Sequence, residues 1–443
     1  MAFGFFKKKE TYADRVFHNG HIYTMDVNMP WVDAVAVADG KVLAVGSFSE
    51  MDGIINDDTE VVDLKEKYMF PGFIDIHHSP VMQMMESDYS VDEEEEIEAQ
   101  EEEAKNIFAN LDHMEMYEYL EDEDEEELPE EALSDDVEIV YEIEGDEESL
   151  EYEDDEAFDD ETEYFIDNSE FTSKVQETMD KLSDHGYTAV LDLRTPNDIE
   201  NEFTDSLIEL YTEGQLKQRF FGALYVNRPA PARLVKEVLS MRRTKCVEVE
   251  DMVKNEVLHL LLDSEEGRMF PQKDLNDIPE ECSDRGFILW IEAVTHEDLL
   301  KAYTAIDHVR NKGYKNNIIV VSDEDLTDEE DAEFSSSQTV YITWRSDVMG
   351  RSFFEGAITD SYDAIEHLTM EAAEMLGMED KLGSIEKDKY ADFVVFEENL
   401  LKKKPSEYGK LFSDMTIVNG EIVHDVEAEN DEYMLNMILY NRS

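Results

Sequence analysis

Pro71-Gly72-Phe73-Ile74-Asp75-Ile76-His77-His78-Ser79-Pro80 runs from a Pro-Gly turn through a short apolar segment into two adjacent histidines. That pattern predicts a buried strand entered by a turn. A strand that delivers histidines at its C-terminal end is how a parallel α/β barrel supplies its first metal ligands. Neighbouring strand residues point to opposite faces, so His78 points away from the side that His77 and Ser79 share and cannot simply supply a second histidine there.

Upstream, Ala13 to Asp63 alternates short apolar runs with turns. Arg15-Val16-Phe17 leads to a turn at His18-Asn19-Gly20, then to His21-Ile22-Tyr23-Thr24-Met25; Asp39-Gly40 separates Ala34-Val35-Ala36-Val37 from Lys41-Val42-Leu43-Ala44-Val45-Gly46. Asp-Gly between two alternating runs is a hairpin signal. The far end repeats the theme, with Gly383-Ser384-Ile385-Glu386-Lys387-Asp388-Lys389-Tyr390-Ala391-Asp392-Phe393-Val394-Val395-Phe396 and two strands hinged on Asn419-Gly420.

These stretches resemble the amidohydrolase superfamily. Pro71 to Ser79 is similar to its first barrel strand, Pro-Gly-Phe-Ile-Asp-x-His-x-His, and the Gly383 run is similar to its return into a terminal β-sandwich. Within the superfamily the resemblance points to the branch of N-substituted formamide deformylases. It implies a composite β-sandwich from residues 1–70 and 378–443, a (β/α) barrel from residues 71–85 and 171–377, and a cap inserted at 86–170.

Between those ends a helix is expected from Lys174 to His185, stopped by Gly186 as a C-cap, followed by a strand at Thr188 to Leu193. Further strands are expected at Arg219 to Val226, Val257 to Asp263, Phe287 to Val294, Asn317 to Ser322 and Thr339 to Trp344, with helices between most of them. Strands separated by helices read as βαβ units in a parallel sheet. About seven are found, one short of a closed barrel, and a last helix follows at Ser361 to Gly377. The fold class is thus α/β: a shortened TIM-like barrel, a composite sandwich and an acidic insert.

The insert carries about forty acidic residues and a single basic one, Lys105, between Glu86 and Glu170. Such a bias normally opposes collapse. Yet Val137, Ile139, Tyr141 and Ile143 keep strand register, and His113 to Leu120 has the form of a short amphipathic helix, so partial order is expected. The formal charge of -75 argues against nucleic acid and anionic membranes as partners. Expected instead are a second copy or another protein, with cations or basic proteins at the insert. Cys246 and Cys282 have no paired spacing, which argues against a disulfide framework or a cysteine zinc site and for a reducing, cytoplasmic setting. No run is long enough to span a bilayer.

Strand by strand, the resemblance puts His77, His259, Glu292 and Asp323 at the family's ligand positions, where they form either a degenerate remnant, with His77 an ordinary hydrogen-bonding residue, or a rebuilt metal site of mixed nitrogen and oxygen ligands. Ser79 stands where the family has its second histidine, His259 where it has a lysine, and Glu292 and Asp323 where it has histidines. The general-base aspartate has no clear match; Asp347 and Asp360 are the nearby carboxylates, Asp347 being the catalytic candidate. Serine is a poor ligand for a divalent metal. His18, His21, His113, His185, His296, His308, His367 and His424 show no ligand spacing and are expected at the surface or at helix ends.

Two functions follow. The first is an amidohydrolase-like pseudoenzyme with a degraded metal site and no cofactor, serving a binding, scaffold or assembly role. The second is a divergent hydrolase of non-peptide C-N bonds in a small amide, using a divalent metal such as zinc to activate water.

Overall fold

The computed structural model describes residues 11–76, 168–195, 200–226, 229–230, 232–245, 249, 251–268, 270–334, 340–343 and 358–429. Residues 86–167 of the acidic insert, with the strand and helix expected inside it, lie outside the described residues.

The N-terminal part forms β1 (Arg15–Tyr23), β2 (Trp31–Ala38), β3 (Lys41–Gly46), β4 (Glu60–Asp63) and β5 (Tyr68–Pro71). Asp39 and Gly40 both take positive φ, 51° and 74°, the backbone that a two-residue turn between twisted strands requires. The expected turn at His18-Asn19-Gly20 is not a turn. β1 runs straight through it, and the register against β2 shifts between His18 and Ile22. Asn19 absorbs the irregularity at φ 56°, so the Asn-Gly pair marks a bulge rather than a reversal.

The chain then steps into a second sheet across Gly72. β6 (Phe73–Asp75), β7 (Tyr187–Asp192), β8 (Arg219–Val226), β9 (Val253–Leu262), β10 (Ile288–Ala293), β11 (Ile318–Val321) and β12 (Val340–Thr343) lie side by side in chain order, every pair parallel. A Cβ on Gly72 would sit 2.2 Å from Thr188 Oγ1, so only glycine lets the two backbones approach here. The expected strands are all present to within a few residues of their ends. Helices Asn168–Asp184, Glu200–Thr212, Ala232–Lys245, Gln272–Arg285 and His296–Asn311 connect them.

The two faces of this half-barrel are both buried, as parallel sheets demand. On one, Leu224, Leu258, Leu260, Leu289, Ile291 and Val320 pack with Val235, Leu239, Leu275, Ile278, Leu299 and Ile306 of the connecting helices. On the other, Ile74, Leu191, Ala223, Val257, Trp290 and Ile319 pack with Ala372, Ala373, Met375 and Leu376. That covering segment is the expected final helix, Ser361 to Met375, but it contains a π turn at His367–Glu371.

The chain finally returns to the first sheet as β13 (Phe393–Phe396), β14 (Met415–Val418) and β15 (Glu421–Asp425). β13 pairs antiparallel with β5, giving the order β15-β14-β13-β5-β1-β2-β3, with β4 against β1. Strands from both ends therefore share one eight-stranded sheet. Buried Arg219 ties the sheets together, donating from Nε and Nη2 to Asp392 at 2.6 and 3.1 Å, with its guanidinium 3.8 Å from the centre of the Tyr390 ring.

Candidate functional site

Val257 and Trp290 belong to the face covered by the final helix. Two residues further along each strand, on the same face, stand His259 and Glu292. The apolar face turns polar at this level, at the C-terminal end of the parallel strands, where such sheets place their chemistry.

His259 is fully buried. Its Nδ1 lies 2.9 Å from the Leu193 carbonyl, an acceptor, so Nδ1 carries a proton. Its Nε2 lies 3.2 Å from Glu292 Oε2, an ion-pair contact without the alignment of a hydrogen bond. The Tyr225 ring stacks at a tilt, centroids 5.0 Å apart.

Glu292 is buried too, and its second partner is Arg194, two residues beyond the end of β7. Arg194 Nη2 donates to Oε1 at 3.0 Å and to Oε2 at 2.8 Å. Burial pushes the Glu292 carboxyl up, but the His259 contact and charge, then Arg194, outweigh it and hold it well below the usual carboxylate range. The Arg194 backbone N–H in turn donates to buried Asp192 at 3.0 Å.

Of the implied metal set, His259 and Glu292 are brought together. Asp323, just past β11, is exposed. His77, with its neighbours His78 and Ser79, lies outside the described residues, as does Asp347. Asp360 is a helix cap: its Oδ1 accepts from the backbone N–H groups of Tyr362 and Asp363. Among the described residues no group of three or more His, Cys, Asp or Glu is placed to hold a metal ion.

The pair also fits a cation poorly. Glu292 would have to offer a lone pair to a metal, while a permanently charged guanidinium already occupies both of its oxygens. Arg194 was not singled out by sequence reading. Its signal was a basic residue directly after the strand Thr188 to Leu193, at the mouth of the sheet, in a chain where acids dominate.

Two histidines differ from expectation. His367 and His424 are buried. His367 Nδ1 lies 2.7 Å from Glu371 inside the π turn, and His424 sits on β15, its Nε2 donating to the Ser413 carbonyl.

Residues 348–424 match the model of a family described as the amidohydrolase family. The chain is 43% identical over 65 residues to Protein LONG AFTER FAR-RED 3 of Arabidopsis thaliana, covering 15% of this chain and 11% of that one. It is 35% identical over 65 residues to N-substituted formamide deformylase of Arthrobacter pascens, covering 15% and 12%. The chain thus spans about a tenth of the length of these curated relatives. An uncharacterized metal-dependent hydrolase from Pyrococcus horikoshii OT3 superposes with a TM-score of 0.58 at 13% identity, covering 88% of this chain and 99% of that one. A mutant atrazine chlorohydrolase from Arthrobacter aurescens TC1, complexed with zinc and atraton, superposes with a TM-score of 0.56 at 12% identity, covering 96% and 99%. Among the described residues no helix is long and apolar enough to cross a membrane.

Proposed function

We propose, from a resemblance to the amidohydrolase superfamily that covers the fold and residues 348–424, that this chain is a pseudoenzyme: a binding, scaffold or assembly component in which buried His259 and Glu292, closed over by the exposed Arg194, stand in place of a metal site. The observation that carries the reading is the grip of Arg194 on both oxygens of Glu292. In that cluster a guanidinium supplies the positive charge that a metal supplies in a hydrolase, but it cannot lower the pKa of a bound water or open a coordination position. His259 is held by Leu193 and faces Glu292, so it serves the cluster rather than a substrate.

The proposal includes the composite sandwich of residues 1–70 and 378–443 and the insert of residues 86–170 as the surface for cations or basic proteins, in a cytoplasmic setting. Elemental analysis of the purified protein tests it. The expected content is far below one transition metal per chain, and Arg194→Ala, by releasing Glu292, raises zinc uptake. About one zinc, iron or manganese per chain, lost on His77→Ala or His259→Ala, overturns the reading.

The second reading, a metal-dependent hydrolase of small amides, is favoured by the match to the formamide deformylase and by the zinc-bound structural neighbour. Metal-dependent release of amine from a small formamide, abolished by His259→Ala, would establish it.

A further inference from the structure

The bulge in β1 opens a concavity of about 430 Å³ lined by His18, Asn19, Gly20, His21, Asp33, Phe48 and Glu66. Its volume falls within the range of small-molecule sites, and it lies on the first sheet, apart from the His259–Glu292 cluster. Its walls are built by irregular backbone. Asn19, Lys65 and Glu66 all take positive φ, at 56°, 53° and 64°, and Glu66 N–H donates to the Asn19 carbonyl at 2.7 Å. Asn19 Nδ2 donates to Asp63 at 2.6 Å, which pins the bulge to the end of β4.

Two flat rings stand ready in this cavity. The His18 imidazole stacks on Phe48 with centroids 4.2 Å apart and planes at 19°; the His21 imidazole stacks on Tyr68 at 4.8 Å and 26°. Each ring is therefore held in one orientation and has its other face turned from its stacking partner. Two carboxylates complete the lining. Asp33 and Glu66 are exposed and make no ion pair among the described residues, whereas the nearby Asp63 carboxylate accepts from Asn19 Nδ2 and from the Lys65 backbone N–H.

We propose that this cavity binds a flat organic cation, specifically a guanidinium group, between the imidazole faces and the Asp33 and Glu66 carboxylates. A guanidinium stacks on aromatic planes and donates bidentately to carboxylates, which a compact ammonium cannot do. The strongly negative chain would steer such a ligand inward. A single Arg side chain of a basic partner and a free small molecule share this chemistry. The site does not depend on whether the barrel end is catalytic.

The test is calorimetric titration of the full chain with agmatine, at about 0.15 M salt so that long-range charge is screened. Putrescine serves as the ammonium control and N-carbamoylputrescine as the planar control with an uncharged head group. Agmatine is expected to bind at least tenfold more tightly than either, and the double variant Asp33→Asn with Glu66→Gln to weaken it at least tenfold. His21→Ala should weaken agmatine while leaving putrescine unchanged. Since these side chains are exposed, the variants should fold, and unchanged thermal melts verify it. Agmatine binding that survives the double variant shows general attraction to the negative chain and overturns the proposal. Equal binding of agmatine and putrescine overturns the preference for a planar cation. A basic peptide that binds as agmatine does, and competes with it, identifies a protein partner as the source; failure of the peptide to compete identifies a free small molecule.

Discussion

Arg219 is 1% exposed and its partner Asp392 hardly more. A charge so deeply buried is tolerable only because every direction is answered: Asp392 accepts from Nε and Nη2, the Asp251 carbonyl from Nη1 at 2.7 Å, and Asn419 from Nη2. Breaking one side leaves the other charge stranded. Arg219→Ala should therefore lower unfolding stability by about 3–5 kcal/mol, read from urea denaturation, whereas trimming the exposed pair Lys181–Glu177 should change it by less than about 0.5 kcal/mol. This pairing joins residues 173 apart, and no local pattern announced it. The same holds for Arg194 on Glu292, 98 residues apart. What could be read was the residue type at each strand end; what could not was which distant side chain would neutralise it. A titration gives a further check at this scale. Glu330 is pulled down to about 2, first by the Thr327 backbone N–H, then by the Thr327 hydroxyl and His296. Its folded value lies below its ordinary one of 4.5, so its contribution is present above about pH 4.5 and fades as pH falls toward 2. Carbonyl shifts of Glu330 followed by NMR should show that low midpoint, and Thr327→Val should raise it.

At the level of strands and turns, sequence reading succeeded where the physics is local. Asp39-Gly40 and Asn419-Gly420 both hold paired positive φ, the latter at 51° and 77°, and β8 has the bounds its apolar run implied. It failed at β1, because Asn-Gly favours positive φ whether or not the chain reverses, and only the partner strand decides. It also missed the π turn at His367–Glu371, since an extra residue in a helical turn leaves the apolar spacing nearly intact. The Asn419-Gly420 turn is a sensitive point. A Cβ on Gly420 would meet Val37 Cγ1 at 2.5 Å in an already left-handed backbone. Gly420→Ala is expected to cost about 1–3 kcal/mol and to lower the thermal midpoint by several degrees, with Gly214→Ala as a control for left-handed strain, since nothing lies within 4 Å of the added atom there.

For the molecule as a whole, β13 lies between β5 and β14, and Phe393, Val395 and Ile417 share a core with Phe17, Val35 and Met69. Deleting everything after Gly377 would expose that core and open an edge along β5. Amide exchange in β1, β2 and β5 should then lose its protection; amides that stay protected would show that the N-terminal strands stand alone. The net charge of -75 sets a second expectation: self-repulsion eases as salt screens it, so the thermal midpoint should rise between 0.05 and about 0.5 M sodium chloride.

The shared sheet also places a demand on biosynthesis. β5 ends at Pro71, and its partner β13 begins only at Phe393, about 320 residues later. At a ribosomal rate of about 5–20 residues per second, the early strands wait roughly 16 to 65 s for the neighbour that completes their hydrogen bonding. Throughout that interval an apolar, unpaired edge is displayed on the nascent chain, so folding in vivo should lean on ribosome-associated chaperones, and slowing translation in the latter half of the message should reduce the yield of native protein.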